Sequence, residues 1–189
     1  MAWQVPGTLL TCDRREVDQL ETQLTYLPSL GGLTLRNIVE ITGLEDYTVQ
    51  NWVKRGFLPA PQNRRYTVDQ LCRIILINML KGVFPMERIC QMLSMVNGRL
   101  DDTADDIIPD SQLYFMFVRL AARAKELDND PDSHLDRELD GYVEPYPGAQ
   151  MRIRQVLKIM LTGYVACRMR TAAENQLDEL LKGVEKNGR

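Results

Sequence analysis

Tyr47, Thr48, Gln50, Asn51, Lys54 and Arg55 fall within one short segment, and the paired Arg64 and Arg65 follow soon after with Tyr66 beside them. These are the residue types that read nucleic acid. Gln and Asn amides make bidentate contacts to adenine edges, while Lys54 and Arg55 suit guanine or phosphate. Tyr47, Thr48, Asn51 and Arg55 recur at helical spacing, so several can reach one groove, and Val49, Trp52 and Val53 face the other way. Other chemistries are poorly served. His134 is the only histidine and lies in a polar stretch where exposure is expected. Cys12, Cys72, Cys90 and Cys167 form no C-x-x-C pair and read as reduced, buried thiols. The acidic run Asp128-Asn129-Asp130-Pro131-Asp132 fails the calcium-loop pattern, with Ser133 at the glycine position and Leu139 at the glutamate position. No nucleophile–base set is visible, so the chain reads as a non-enzyme without catalytic residues, metal or cofactor.

Two helices must position the candidate reader. Thr34 can cap a first helix bearing Leu35, Ile38, Val39 and Ile41 that ends at Gly43. A second runs from about Asp46 to Arg55 and stops at Gly56. These are helix-turn-helix proportions, in which the second helix lies in the major groove. Pro59 to Asn63 cannot be helical and forms an extended excursion, at whose end Arg64 and Arg65 can straddle a phosphate backbone. Thr34 and Arg36, at the start of the first helix, complete the expected DNA-contacting set. Thr67-x-x-Gln70 is a capping box for an apolar helix over Leu71–Leu80, and Pro85 opens a fourth helix through Ile89, Leu93 and Val96.

The flanks are different in character. A helix is expected from Asp13 to Tyr26, broken by Pro28 and Gly31-Gly32. After an acidic linker at Asp101–Asp106, a helix is expected over Ser111–Asp128, mostly loop over Asn129–Gln150, and a long helix over Met151–Leu181. Both C-terminal helices look apolar nearly all round, as for an ordinary core, a dimer interface or an effector pocket. The organisation expected is an N-terminal extension (1–32), a reader (33–99) and an acidic helical module (100–189).

The 189 residues carry a net charge of −3, but that total is a cancellation. Residues 33–99 hold nine bases and five acids, whereas 100–140 hold four bases and twelve acids. Such asymmetry hints at nucleic-acid contact through one part of a chain. With 44% hydrophobic and 26% charged residues the sequence is that of a globular protein. The longest apolar stretch, Ile153–Met169, is interrupted by Arg154, Gln155, Lys158 and Arg168, so no membrane span and a cytoplasmic location are expected.

The order Leu33-Thr34-Leu35, Gly43-Leu44, Thr48-Val49-Gln50-Asn51-Trp52, Gly56-Phe57-Leu58, Arg64-Arg65-Tyr66-Thr67, Asp69-Gln70-Leu71, Gly82 and Ile89 resembles the DNA-binding domain of MerR-type regulators. It covers about a third of the chain. Gln50 stands where that family usually has arginine, and Trp52 where it commonly has tyrosine. The run from Gly43-Leu44-Glu45 through Phe57 more closely resembles an uncharacterised group of bacterial proteins with a MerR-like reader. The resemblance implies an all-α protein with a small β-wing: a winged helix-turn-helix, followed by a helical module for dimerisation or sensing. It implies a homodimeric transcriptional regulator bound to double-stranded DNA, with room for a small-molecule effector. The alternative is a protein–protein interaction module that uses the same shape without DNA.

Overall fold

The computed structural model describes residues 2–26, 31–100, 104–123 and 131–187. In chain order the elements are β1 (Trp3–Gln4), β2 (Thr11–Cys12), a 3-10 turn (Arg14–Glu16), α1 (Val17–Tyr26), α2 (Leu35–Thr42), α3 (Asp46–Lys54), α4 (Val68–Leu80), α5 (Met86–Asn97) and α6 (Asp110–Ala122). Two more follow, α7 (Pro131–Glu138) and α8 (Ala149–Asn187). The protein is mostly helical with a small antiparallel β component, as expected.

The centre of the fold is α4. Its capping box forms as the sequence indicates, with Thr67 Oγ1 accepting from Gln70 N–H and Gln70 Oε1 accepting from Thr67 N–H. Every side chain from Leu71 to Ile77 is buried, so this helix is enclosed on all sides by α2, α5, α6 and α8. Removing each large aliphatic group here from water stabilises the fold by about 2 kcal/mol before entropy is counted. One enclosed residue is charged: Arg73 donates to Asp110 at the start of α6 over 3.0 Å, tying α4 to α6.

The two-residue strands lie at the N-terminus, where the sequence signals no strand; the 59–66 excursion contributes only isolated bridges. Tertiary contacts hold this hairpin. Tyr114 Oη donates to the Pro6 carbonyl over 2.9 Å, Leu9 N–H donates to the Ile41 carbonyl, and Asn78 Nδ2 donates to the carbonyls of Gly7 and Thr42. Gly7 is required: its φ is +75°, and a Cβ there would sit 2.6 Å from the Ile75 carbonyl oxygen.

Three expectations for the C-terminal part change. Helix α6 ends at Ala122, capped by Arg123, and residues 124–130, with Asp128, Asn129 and Asp130 of the acidic run, lie outside the described residues, as do Pro28 and 101–103. The expected loop after 129 contains α7. Pro131 occupies a first-turn position that tolerates it, Leu135 and Leu139 are buried, and Asp132 and Asp136 pair with Arg154 and Lys158 of α8. His134 therefore sits on a helix, half-buried, with its Nδ1 enclosed and unbonded among the described residues. Finally, α8 is longer than expected and has one buried stripe, Ile153, Val156, Leu157, Met160 and Tyr164, while Ile159 and Val165 are exposed. From Thr171 to Lys182 every side chain is exposed.

All four cysteines are free thiols. Cys72 is fully buried, but Cys12, Cys90 and Cys167 are only half-buried, and burial pushes every one of these thiols up. No helix among the described residues is long and apolar enough to cross a membrane.

The acidic linker supplies a pH prediction. Burial, reinforced by Asp110 and Asp105, raises the Asp106 carboxyl to about 6, and its Oδ1 has no hydrogen-bond partner among the described residues. A carboxyl raised on folding contributes stability that is fully present below its ordinary pKa and is lost as pH rises through about 6. Asp106→Asn is therefore expected to stabilise the chain at pH 7 by on the order of 1 kcal/mol after solvent screening. It should also flatten the fall in stability between about pH 4 and 6. Urea unfolding of both proteins across that range checks it; an unchanged pH slope contradicts the assignment.

Candidate nucleic-acid interface

Helix α2 starts at a capping box in which Thr34 Oγ1 accepts the Asn37 N–H and donates to Asn37 Oδ1. It stops at Gly43, whose φ of +69° gives the left-handed C-cap and whose N–H donates to Val39 O over 2.8 Å. Leu44 turns into the core and α3 begins at Asp46. Val49 and Trp52 of α3 are 0% and 7% exposed, which fixes the helix rotation. The opposite face then presents Tyr47, Gln50, Asn51 and Lys54, at i, i+3, i+4 and i+7, with Lys54 exposed at its end. This stripe differs from the set read from spacing, because Thr48 is half-buried against the body. Arg55 sits at the C-cap with its guanidinium 4.6 Å from the Phe57 ring and Nη2 3.4 Å from Glu87 Oε1.

Charge along the stripe is graded. Glu45 and Asp46 place two carboxylates at its N-terminal end, where they complement the helix dipole, and Asp46 Oδ1 accepts from the Tyr47 N–H. Lys54 places the cation at the other end. On α2, Arg36 is paired with Glu40 over 2.8 Å at the surface, and the Thr34 hydroxyl is committed to its cap. What remains open at Thr34 is the helix N-terminus itself.

The 59–66 excursion closes in a two-residue hairpin. Gln62 and Arg65 form an antiparallel bridge, Arg65 N–H donates to Gln62 O over 2.8 Å, and both central residues have positive φ, Asn63 at +49° and Arg64 at +61°. This is the geometry of a type I′ turn. Asn63 tolerates it, but at Arg64 the left-handed backbone costs on the order of 1 kcal/mol, and the residue stands exposed at the tip. Gln70 Nε2 steadies the excursion by donating to the carbonyls of Pro59 and Ala60. Its base pairs Tyr66 with Leu33, and Arg65 Nη1 donates to the Gly32 carbonyl, so the arginines lie beside the N-terminus of α2.

Tyr66 requires a correction. Expected on the phosphate backbone, it is 4% exposed, and burial pushes its phenol up. It anchors the hairpin from below because the bridge to Leu33 turns its ring into the core. Sequence reasoning also passed over Glu45, Asp46 and Glu87, the acids that shape the local charge. It passed over the turn type as well, for which Asn63 was the available signal.

Arg64→Gly separates the two roles of that position. Relief of the left-handed strain is expected to raise stability by about 0.5–1 kcal/mol, while loss of the tip charge weakens any polyanion binding. Thermal unfolding and heparin-column retention measure both; a glycine variant that is less stable contradicts the turn assignment.

Residues 27–117 match the family model DUF1836, a domain of unknown function. That match spans α2, the α3 stripe, the hairpin, α4, α5 and the first half of α6, so both partners of the Arg73–Asp110 pair lie inside it. Beyond the DUF1836 match, the chain is similar to the uncharacterized protein YkrK of Bacillus subtilis (strain 168). The two are 22% identical over 161 residues, with 78% of this chain and 69% of that protein covered. No solved structure shows significant similarity.

Proposed function

We propose that the chain binds double-stranded DNA as a winged helix-turn-helix of MerR-like type and acts as a bacterial transcriptional regulator. The observation that carries this reading is the outward stripe Tyr47, Gln50, Asn51 and Lys54 on a helix locked in rotation by Val49 and Trp52. Such a stripe presents amides to base edges from a rigid support, the preorganisation that direct readout needs. The hairpin adds phosphate contacts through Arg64 and Arg65. Homodimerisation belongs to the same proposal. The second half of α8 is a solitary exposed helix carrying Leu177, Leu180 and Leu181, which a second copy can cover. Two readers then meet a near-palindromic site.

One observation favours the other reading, a protein-docking module. Arg36 and Arg55 are already paired with Glu40 and Glu87, and two acids open α3. Selection from random duplexes decides between them. The DNA reading predicts enrichment of a two-fold symmetric motif that Gln50→Ala and Asn51→Ala each degrade; no enrichment over the input pool sinks it.

A further inference from the structure

Between the N-terminal hairpin and α8 lies an open cleft of about 1310 Å³, room enough for a nucleotide-sized molecule. Its walls carry Arg14, Arg15, Arg119, Arg123 and Arg168 against only two acids, Asp13 and Asp18. Three of the arginines are engaged: Arg15 with Asp13, Arg119 with Glu21 and Glu138, and Arg123 with Glu138. Arg14 and Arg168 have no carboxylate partner among the described residues. Each lies over an aromatic ring instead, Arg14 at 5.4 Å from the Trp3 centroid and Arg168 at 5.8 Å from that of Tyr164. Arg14 also reaches the Ala122 carbonyl at 3.3 Å. The Trp3 indole N–H in the same wall is buried and lacks an acceptor among the described residues. A guanidinium stacked on a ring keeps its edge donors for an oxyanion.

We propose that this cleft binds a small organic phosphate. Arg14 and Arg168, seated on the Trp3 and Tyr164 rings, hold the phosphoryl oxygens, and the exposed apolar lining of Ala2, Leu9 and Ala172 takes the organic body. The two guanidiniums without a carboxylate partner favour a dianion over a monocarboxylate, and the apolar part of the lining favours an organic phosphate over the bare ion. The cleft also touches the reader. Gly7, Leu9, Thr42 and Asn78 line it; Leu9 N–H donates to Ile41 O over 2.8 Å, and its side chain comes within 3.1 Å of the Cβ position of Gly43. Occupancy therefore bears on the turn that sets α3. This consequence rests on the DNA reading, whereas binding itself does not.

The intact, nitrogen-15-labelled chain offers a direct test, because its two tryptophans give two indole resonances that Trp3→Phe assigns. Titration with phenyl phosphate is expected to move the Trp3 resonance saturably. Inorganic phosphate and phenol each should bind roughly tenfold more weakly or worse. Arg14→Gln combined with Arg168→Gln should abolish saturation without lowering the thermal midpoint. If the double variant unfolds, Arg168→Gln alone, on the exposed side of α8, must still weaken binding. No saturable shift, equal binding by the variants, or equal affinity for inorganic phosphate overturns the proposal. Duplex binding measured on the same samples reports on the DNA reading separately.

Discussion

Asp110→Ala is expected to destabilise the chain by about 3–5 kcal/mol, the largest effect of any single polar substitution in the fold. Arg73 and Asp110 are 3% and 9% exposed, so the truncation strands a guanidinium inside the most apolar helix of the protein. Burial raises the Asp110 carboxyl despite the pull of Arg73, and both Arg73 Nε and Asp110 Oδ1 lack partners among the described residues. The double variant Arg73→Met, Asp110→Leu should therefore come out near wild type or above it. Denaturant unfolding of the three proteins measures the set; a cost under about 1 kcal/mol for Asp110→Ala contradicts the burial of the pair. The physical sense of such a pair is specificity of docking, since it fixes α6 against α4 in one register.

The second large effect concerns binding. Replacing Lys54, Arg64 and Arg65 together by alanine is expected to weaken binding to every duplex alike, reducing the salt slope by roughly one for each phosphate no longer neutralised. Gln50→Ala and Asn51→Ala should behave oppositely. Each costs about 1–3 kcal/mol on the selected site and almost nothing on unrelated DNA. Competition binding with specific and random duplexes resolves the two patterns. If the amide variants lose affinity equally for both duplexes, α3 does not read bases.

Much of this architecture is legible in the residues, and where it is not the reason is tertiary. The cap at Thr34, the capping box at Thr67 and the helix end at Gly43 are local signals, and each forms as read, Thr34 gaining a reciprocal bond from Asn37 besides. The burial of α4 follows from its composition. Strands β1 and β2 are two residues long and persist through bonds to partners distant in sequence, Tyr114 and Asn78 among them, which no local pattern announces. Helix α7 looks like loop because it opens on Pro131-Asp132-Ser133 and carries few apolar residues. Leu135, Leu139 and the cations of α8 stabilise it from outside. In the candidate site, residue types are visible in the sequence but their orientation is not. Thr48 and Tyr66 turn inward, Arg55 folds onto Phe57, and Lys54 joins the outward stripe, because the packing of Trp52 and the Leu33–Tyr66 bridge decide these directions.

Whether the α3 stripe and the hairpin arginines engage duplex DNA is decided by fluorescence anisotropy of a labelled duplex, titrated with the intact chain from about 50 mM salt upward. Binding is expected at low salt, with log K falling linearly against log salt, and a shallower slope for Arg64→Ala combined with Arg65→Ala. Absence of binding at about 50 mM salt, or a slope that the arginine variant leaves unchanged, would contradict the DNA reading.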